Sequence, residues 1–178
     1  RSRPAGWAAA QGLARTIAPA ELHALGAQAL NVNVDTSRQY AQARLASRER
    51  SNAEFSQALA AMPLMFEPGT TWEYSRATDL LGALLEVVAG QSLGDFLQHN
   101  IFGPLGMVDT AFHVPPEKHH RIAEPFESDP DGGIAMKLID VRQPARMEAG
   151  GAGLVSTSAD YARFLQCLLN LGELDGVR

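Results

Sequence analysis

The stretch "PGTTWEYSRATDLLG", residues 68–82, decides how the rest of the chain is read. Pro68-Gly69 predicts a turn, because proline presets φ and glycine tolerates a positive φ. From Ala77 the apolar residues fall at helical spacing. Ala77, Leu80, Leu81, Leu84, Val87 and Val88 share one face, and Gly90 supplies the stop. Ser75 is the natural N-cap, and Asp79 in the first turns complements the positive helix end. A helix over 77–89 is expected, with Leu81, Leu84 and Val88 buried. Tyr74 then stands just ahead of a helix N-terminus.

On the N-terminal side, "APAELHALGAQAL" (18–30) reads as a short helix opened by Pro19. "NVNVDTS" (31–37) alternates briefly, as a strand or a loop would. A polar helix is expected from Ser37 to Ala46, with Tyr40, Ala43 and Leu45 as its apolar contacts. In "SNAEFSQALAAM" (51–62), Ser51 and Glu54 have capping-box spacing, and Pro63 ends the helix. On the C-terminal side, "SLGDFLQHNIF" (92–102) is capped at Ser92, has Asp95 three residues on, and is closed by Gly103-Pro104. Residues 107–148 read as loops with short strands near Thr110–Val114 and Ile134–Ile139. A last helix runs from Ser158 to Asn170, capped by Thr157 and Asp160, with Phe164, Leu165, Leu168 and Leu169 facing inward. The chain is therefore mostly helical, with a loop-and-strand insert.

The 178 residues fit one domain, or one large piece of one, and are 46% hydrophobic and 20% charged. A formal charge of -5 without a dense basic run disfavours nucleic acid and anionic membranes as partners. No apolar stretch approaches the roughly 18 residues of a bilayer span. The single Cys167 excludes an internal disulfide framework. The opening "RSRPAGW" lacks an initiator Met, and both ends are expected to be cut from a longer protein.

The usual chemical signatures are weak. His119 and His120 are adjacent, so their side chains diverge, and no H-E-x-x-H or Cys/His spacing exists; neither a metal nor a cofactor is expected. The carboxylates of Glu67 and Glu73, and of Asp129 and Asp131, sit in turn-like, solvated surroundings. "GGAGLVSTSADY" (150–161) lacks the register of a nucleotide loop and reads as a backbone-permissive turn entering a helix. There is no G-x-S-x-G elbow. Ser75, Ser156 and Ser158 are expected at caps.

Tyr74 is the exception. A free tyrosine titrates near pH 10 and is a poor base at neutrality. A helix N-terminus contributes about 0.3–1 kcal/mol, less than the ~1.4 kcal/mol of one pKa unit. Lys118 and Lys137 are the only lysines, and Pro115 and Ile134 stand three residues before them, so no Ser-x-x-Lys motif is present. On these grounds alone, Tyr74 is better read as an aromatic packing residue.

The neighbouring residues alter that reading. "PLMFEPGTTWEYSRATDLLGALLEVVAGQSLGDFLQHNIFGPLGMVDTAFHVP" (63–115) closely resembles the middle segment of the serine β-lactamase-like hydrolases. That family includes class C β-lactamases, DD-peptidases and family VIII esterases. "PLGMVDTAF" (104–112) and "EAGGAGLVSTSADYARFLQCLLNLGELDGVR" (148–178) resemble the same group. The resemblance covers about residues 62–178, and residues 1–61 form a weakly matched helical lead-in to the same single domain segment. Taken together and in order, these stretches are specific.

The resemblance implies the helical part of an α+β fold and a reaction through an acyl-enzyme. A serine of a Ser-x-x-Lys motif attacks a carbonyl, and a motif tyrosine relays protons to and from it. Tyr74 in "YSR" matches that tyrosine and is expected to line a cleft. The implied partners are a small-molecule ester or amide substrate and the rest of the parent chain. The Ser-x-x-Lys motif and the C-terminal strands are expected outside residues 1–178. One position departs from the pattern. Where β-lactamases and DD-peptidases usually carry Asn, this chain has Arg76, which favours an ester over β-lactam or peptide turnover. Arg76 is thus a candidate substrate-binding residue, with reach to solvent or Glu73 as its structural alternative. Domains of this fold also serve as non-catalytic sensors or scaffolds, and a Ser-x-x-Lys ahead of Arg1 would discriminate.

Overall fold

The computed structural model describes residues 39–64, 66–67, 69–72, 74–125 and 138–178. The expected helix at 18–30, the segment 31–37, Glu73, Asp129, Asp131 and most of Ile134–Ile139 lie outside them. Among the described residues the named elements, in chain order, are α1 (Asn52–Ala60), α2 (Ala77–Ala89), α3 (Leu93–Leu97) continuing as a π-helical turn (Gln98–Phe102), a 3-10 helix (Pro116–Arg121) and α4 (Ser158–Leu169). Two compact units result. Of the described residues, one comprises those from 39 to Phe96 with Arg146–Ala152; the other comprises those from Leu97 to Ala145 with Gly153–Arg178.

In the first unit, α1 begins as its sequence dictates. Ser51 Oγ accepts from Glu54 N at 3.2 Å, and Glu54 Oε2 accepts from Ser51 N at 2.7 Å, completing the capping box. The helix buries Phe55 and Leu59 in a core with Leu45, Leu80, Met147 and Ala149. Tyr40 and Ala43 pack on this cluster, as expected. The polar helix itself is shorter than expected: residues 39–42 are helical, and Arg44 turns the chain with φ 50.

α2 has the predicted bounds and closes at Gly90 in the left-handed conformation. Its buried face is not the predicted one. Asp79, Leu80, Gly82 and Ala83 are buried, whereas Leu81 is 52% exposed and Leu84 and Val88 are half-buried. Polar contacts set this rotation. Glu86 Oε1 accepts from Asn52 Nδ2 at 2.8 Å and from Leu93 N at 3.1 Å, and Asp79 accepts from Gly151 N. A helix with carboxylates on its inner face cannot be oriented by counting apolar residues.

In the second unit, Phe102, Leu105 and Met107 form a core flanked by Leu97, Ile101, Phe164, Cys167 and Leu174. α4 is capped by Thr157, whose side chain accepts from Asp160 N at 3.2 Å. Its inward face again differs from expectation. Phe164 and Cys167 pack inward, but Leu165, Leu168 and Leu169 are exposed. The expected strands do not form among the described residues. Around Thr110–Val114 there is an isolated antiparallel bridge, Ala111 with Val155, and a hydrogen bond from Val114 N to Val141 O at 2.7 Å. Leu138 and Ile139, the described end of the second expected strand, are irregular. No single helix among the described residues is long and apolar enough to cross a membrane.

Candidate active site

A turn and a helix start deliver Tyr74. Thr70 N donates to Glu67 O at 3.2 Å across a turn whose Gly69 has φ 81, a conformation that favours glycine. Tyr74 follows, 81% exposed, ahead of α2. Ser75 Oγ accepts from Ala77 N at 3.2 Å, whereas the cap position itself belongs to Arg76, whose side chain makes no capping bond. The hydroxyl of Ser75 thus serves the free backbone of the helix end, one residue earlier than a standard cap.

Arg76 is held by Asp79 rather than reaching solvent alone. Its Nη1 lies 3.2 Å from Asp79 Oδ2, and the two side chains are 40% and 5% exposed. The other oxygen, Asp79 Oδ1, accepts from Gly151 N at 2.9 Å. A buried carboxylate is costly unless its charge is paired and its lone pairs are used, and here both oxygens have a donor. Burial pushes the Tyr40 phenol up, and the positive charge of Arg76 opposes that rise.

The "EAGG" segment is the other wall of this arrangement, and its glycines work by close approach. A β-carbon on Gly150 would collide with the Thr78 carbonyl oxygen in the first turn of α2. Glu148 fixes the same segment from its other side: Oε2 accepts from Gly94 N at 2.7 Å, and its carbonyl accepts from the buried Asn52 Nδ2 at 2.9 Å. Main chain at Gly150-Gly151 is therefore laid directly on the turn that follows Tyr74. Sequence reasoning named the glycines as a permissive turn but missed Asp79 as their partner. The spacing of Asp79 one helical turn beyond Ser75 read as a dipole contact, and nothing local announces a bond to residue 151.

The second unit holds a polar cluster of its own. Asp109 pairs with Lys118 Nζ at 2.6 Å and Arg121 Nη2 at 2.9 Å. Hydrogen bonds from Arg121 first, then Lys118, hold its carboxyl at about 2. Asp160, buried, accepts from Asp109 N at 2.7 Å and Thr110 Oγ1 at 2.9 Å, and Thr110 Oγ1 lies 2.8 Å from Ser156 Oγ. Ser156 is therefore tied to this network rather than to a helix cap, and Asp160 joins a loop to α4 in addition to following its cap. A cavity of about 510 Å³ is lined by Asp109, Thr110, Lys118, Arg121 and Ser156, together with Val141. His119 sits in the 3-10 helix with Nε2 2.9 Å from Val114 O, and no group of three His, Cys, Asp or Glu side chains among the described residues is placed to hold a metal.

The chain belongs to the serine β-lactamase-like family: it matches the Beta-lactamase family over residues 12–177. It is 32% identical over 133 residues to the lovastatin esterase of Penicillium rubens, covering 71% of this chain and 33% of that protein. It is 34% identical over 126 residues to esterase EstB of Burkholderia gladioli, covering 62% and 32%. The solved structure of EstCE1, a hydrolase with promiscuous acyltransferase activity, superposes with a TM-score of 0.63 at 24% identity, over 89% of this chain and 47% of EstCE1. That likeness is one of fold. The chain spans about a third of the length of the curated relatives it matches.

Proposed function

We propose that the full-length protein is a carboxylic ester hydrolase working through an acyl-enzyme, with Tyr74 as the proton relay. One observation carries the reading: Tyr74, in the "YSR" that resembles the family's tyrosine motif, stands immediately ahead of α2, whose first turns are held by the Asp79–Gly151 bond. In this mechanism a serine from the Ser-x-x-Lys motif adds to the ester carbonyl, and Tyr74 takes its proton and hands it to the leaving alcohol. Water then adds to the acyl-enzyme, giving up its proton by the same route and releasing the acid. Arg76, engaged by Asp79, does not offer the neutral amide that an Asn offers at this position, which supports esters over β-lactams and peptides. The named esterases among the relatives support the same choice.

The test is Tyr74→Phe in the full-length protein, followed by stopped-flow acylation with a p-nitrophenyl ester. Loss of general acid–base help is expected to slow acylation by about 10²–10⁴-fold. Because the substitution removes one oxygen and keeps the ring, the melting temperature should hardly change. Wild-type acylation rates in the variant would rule the relay out.

A further inference from the structure

Asp79 has no part in the proton transfers just described, yet its carboxylate is among the best-engaged groups in the first unit. Its side chain is 5% exposed, Oδ1 is bound by Gly151 N and Oδ2 by Arg76 Nη1. Gly151 is packed so closely that an added β-carbon would stand 3.0 Å from Oδ1. The carboxylate is thus fixed by the fold, while its partner Arg76 keeps 40% of its side chain in solvent, two residues after Tyr74. A guanidinium at such a place is a fork built to take a carboxylate. Here the fold has already supplied one.

We propose that Asp79 holds Arg76 as a neutral ion pair beside Tyr74 and so makes the site select acyl groups without a charged end. This rests on the reading of Tyr74 as the relay. Asp79 is a positioning and specificity residue, acting through Arg76 and through the Gly150-Gly151 segment. Without its charge, Arg76 is released to meet a substrate carboxylate. Without Arg76, the local charge turns negative and an anionic acyl group is repelled.

The experiment compares two esters of equal chain length, p-nitrophenyl valerate and mono-p-nitrophenyl glutarate, on the full-length protein. Calorimetric binding of free glutarate runs in parallel. Asp79→Asn keeps an oxygen for Gly151 N but loses the charge. It should lower KM for the glutarate ester relative to the valerate ester by about threefold to fivefold, as a part-exposed ion pair allows. The gain should fade in high salt and vanish in the double variant Asp79→Asn/Arg76→Gln. Arg76→Gln alone should move the KM ratio the opposite way, and it carries the test if Asp79→Asn does not fold. A fall in kcat for both esters with an unchanged KM ratio would make Asp79 a purely structural anchor and overturn the proposal. If the wild type turns over neither ester, the hydrolase reading fails on its own. Glutarate binding then decides: tighter in Asp79→Asn supports the selection, and equal binding overturns it.

Discussion

Asp109 shows how one residue can be committed to a single charge state. Two cations bind its carboxyl, and their hydrogen bonds, Arg121 before Lys118, lower it to about 2. A carboxyl depressed in the folded state stabilises the fold above its unfolded value, near 3.9, and that contribution disappears as pH falls through about 2. Asp109→Asn is therefore expected to lower the melting temperature at pH 7. The gap to wild type should close between pH 4 and pH 2, which thermal melts across that range would show. A constant gap down to pH 2 would assign the effect to lost packing instead. Gly150 makes a steric case at the same scale. Because a β-carbon there meets the Thr78 carbonyl, Gly150→Ala must displace main chain at the turn after Tyr74. Overpacking of this kind costs about 1–3 kcal/mol, measurable by urea denaturation. Loss of acylation should exceed what that destabilisation explains.

At the scale of the elements, α1 is the case in which sequence and structure agree most fully. The capping box is present with both bonds, and Arg146 adds an ion pair to Glu54 at 2.9 Å. Ser51→Ala should cost about 1 kcal/mol by chemical denaturation, the usual value of a lost cap. Glu54 is held below its ordinary value first by the Ser51 backbone bond, so the cap should weaken as acid protonates it. The bounds of α2 were equally legible, since Ala77 and Gly90 are local signals. Its orientation was not. Asp79, Gly82 and Glu86 face inward because they meet Gly151, Gly150 and Asn52, partners far away in sequence. The same limit applies to the site. Tyr74 and Arg76 could be nominated from the resemblance, but the Asp79 clamp, the Thr110–Asp160 bond and the buried Asn52 are long-range contacts with no local signature. The strand expected near Thr110–Val114 is absent for a related reason: a short apolar piece pairs as a strand only where a partner edge exists, and this one meets Val155 in a single isolated bridge.

For the molecule as a whole, residues 1–178 taken alone are expected to be inactive towards esters and β-lactams. Covalent catalysis needs a nucleophile, its activating group and oxyanion donors held within hydrogen-bond reach of one another. On the proposed reading Tyr74 is the one such part in the sequence, which contains no Ser-x-x-Lys. Three of its serines have other duties: Ser51 and Ser75 serve helix ends, and Ser156 is bonded to Thr110. The isolated polypeptide should also self-associate. Leu165, Leu168, Leu169 and Leu171 are exposed at the end of α4 and just beyond it, and clustered apolar surface of this kind promotes contact between copies. A net charge of -5 opposes this only at long range and is screened beyond roughly 8 Å at physiological salt. Expressing residues 1–178 and the full-length protein side by side checks both expectations. Sedimentation should show the short chain as concentration-dependent oligomers, dispersed by Leu165→Glu/Leu169→Glu. A short-chain p-nitrophenyl ester should be cleaved by the full-length protein alone. Cleavage by residues 1–178, abolished on replacing one of their own serines, would move the nucleophile into this segment and remove the need for a serine from elsewhere.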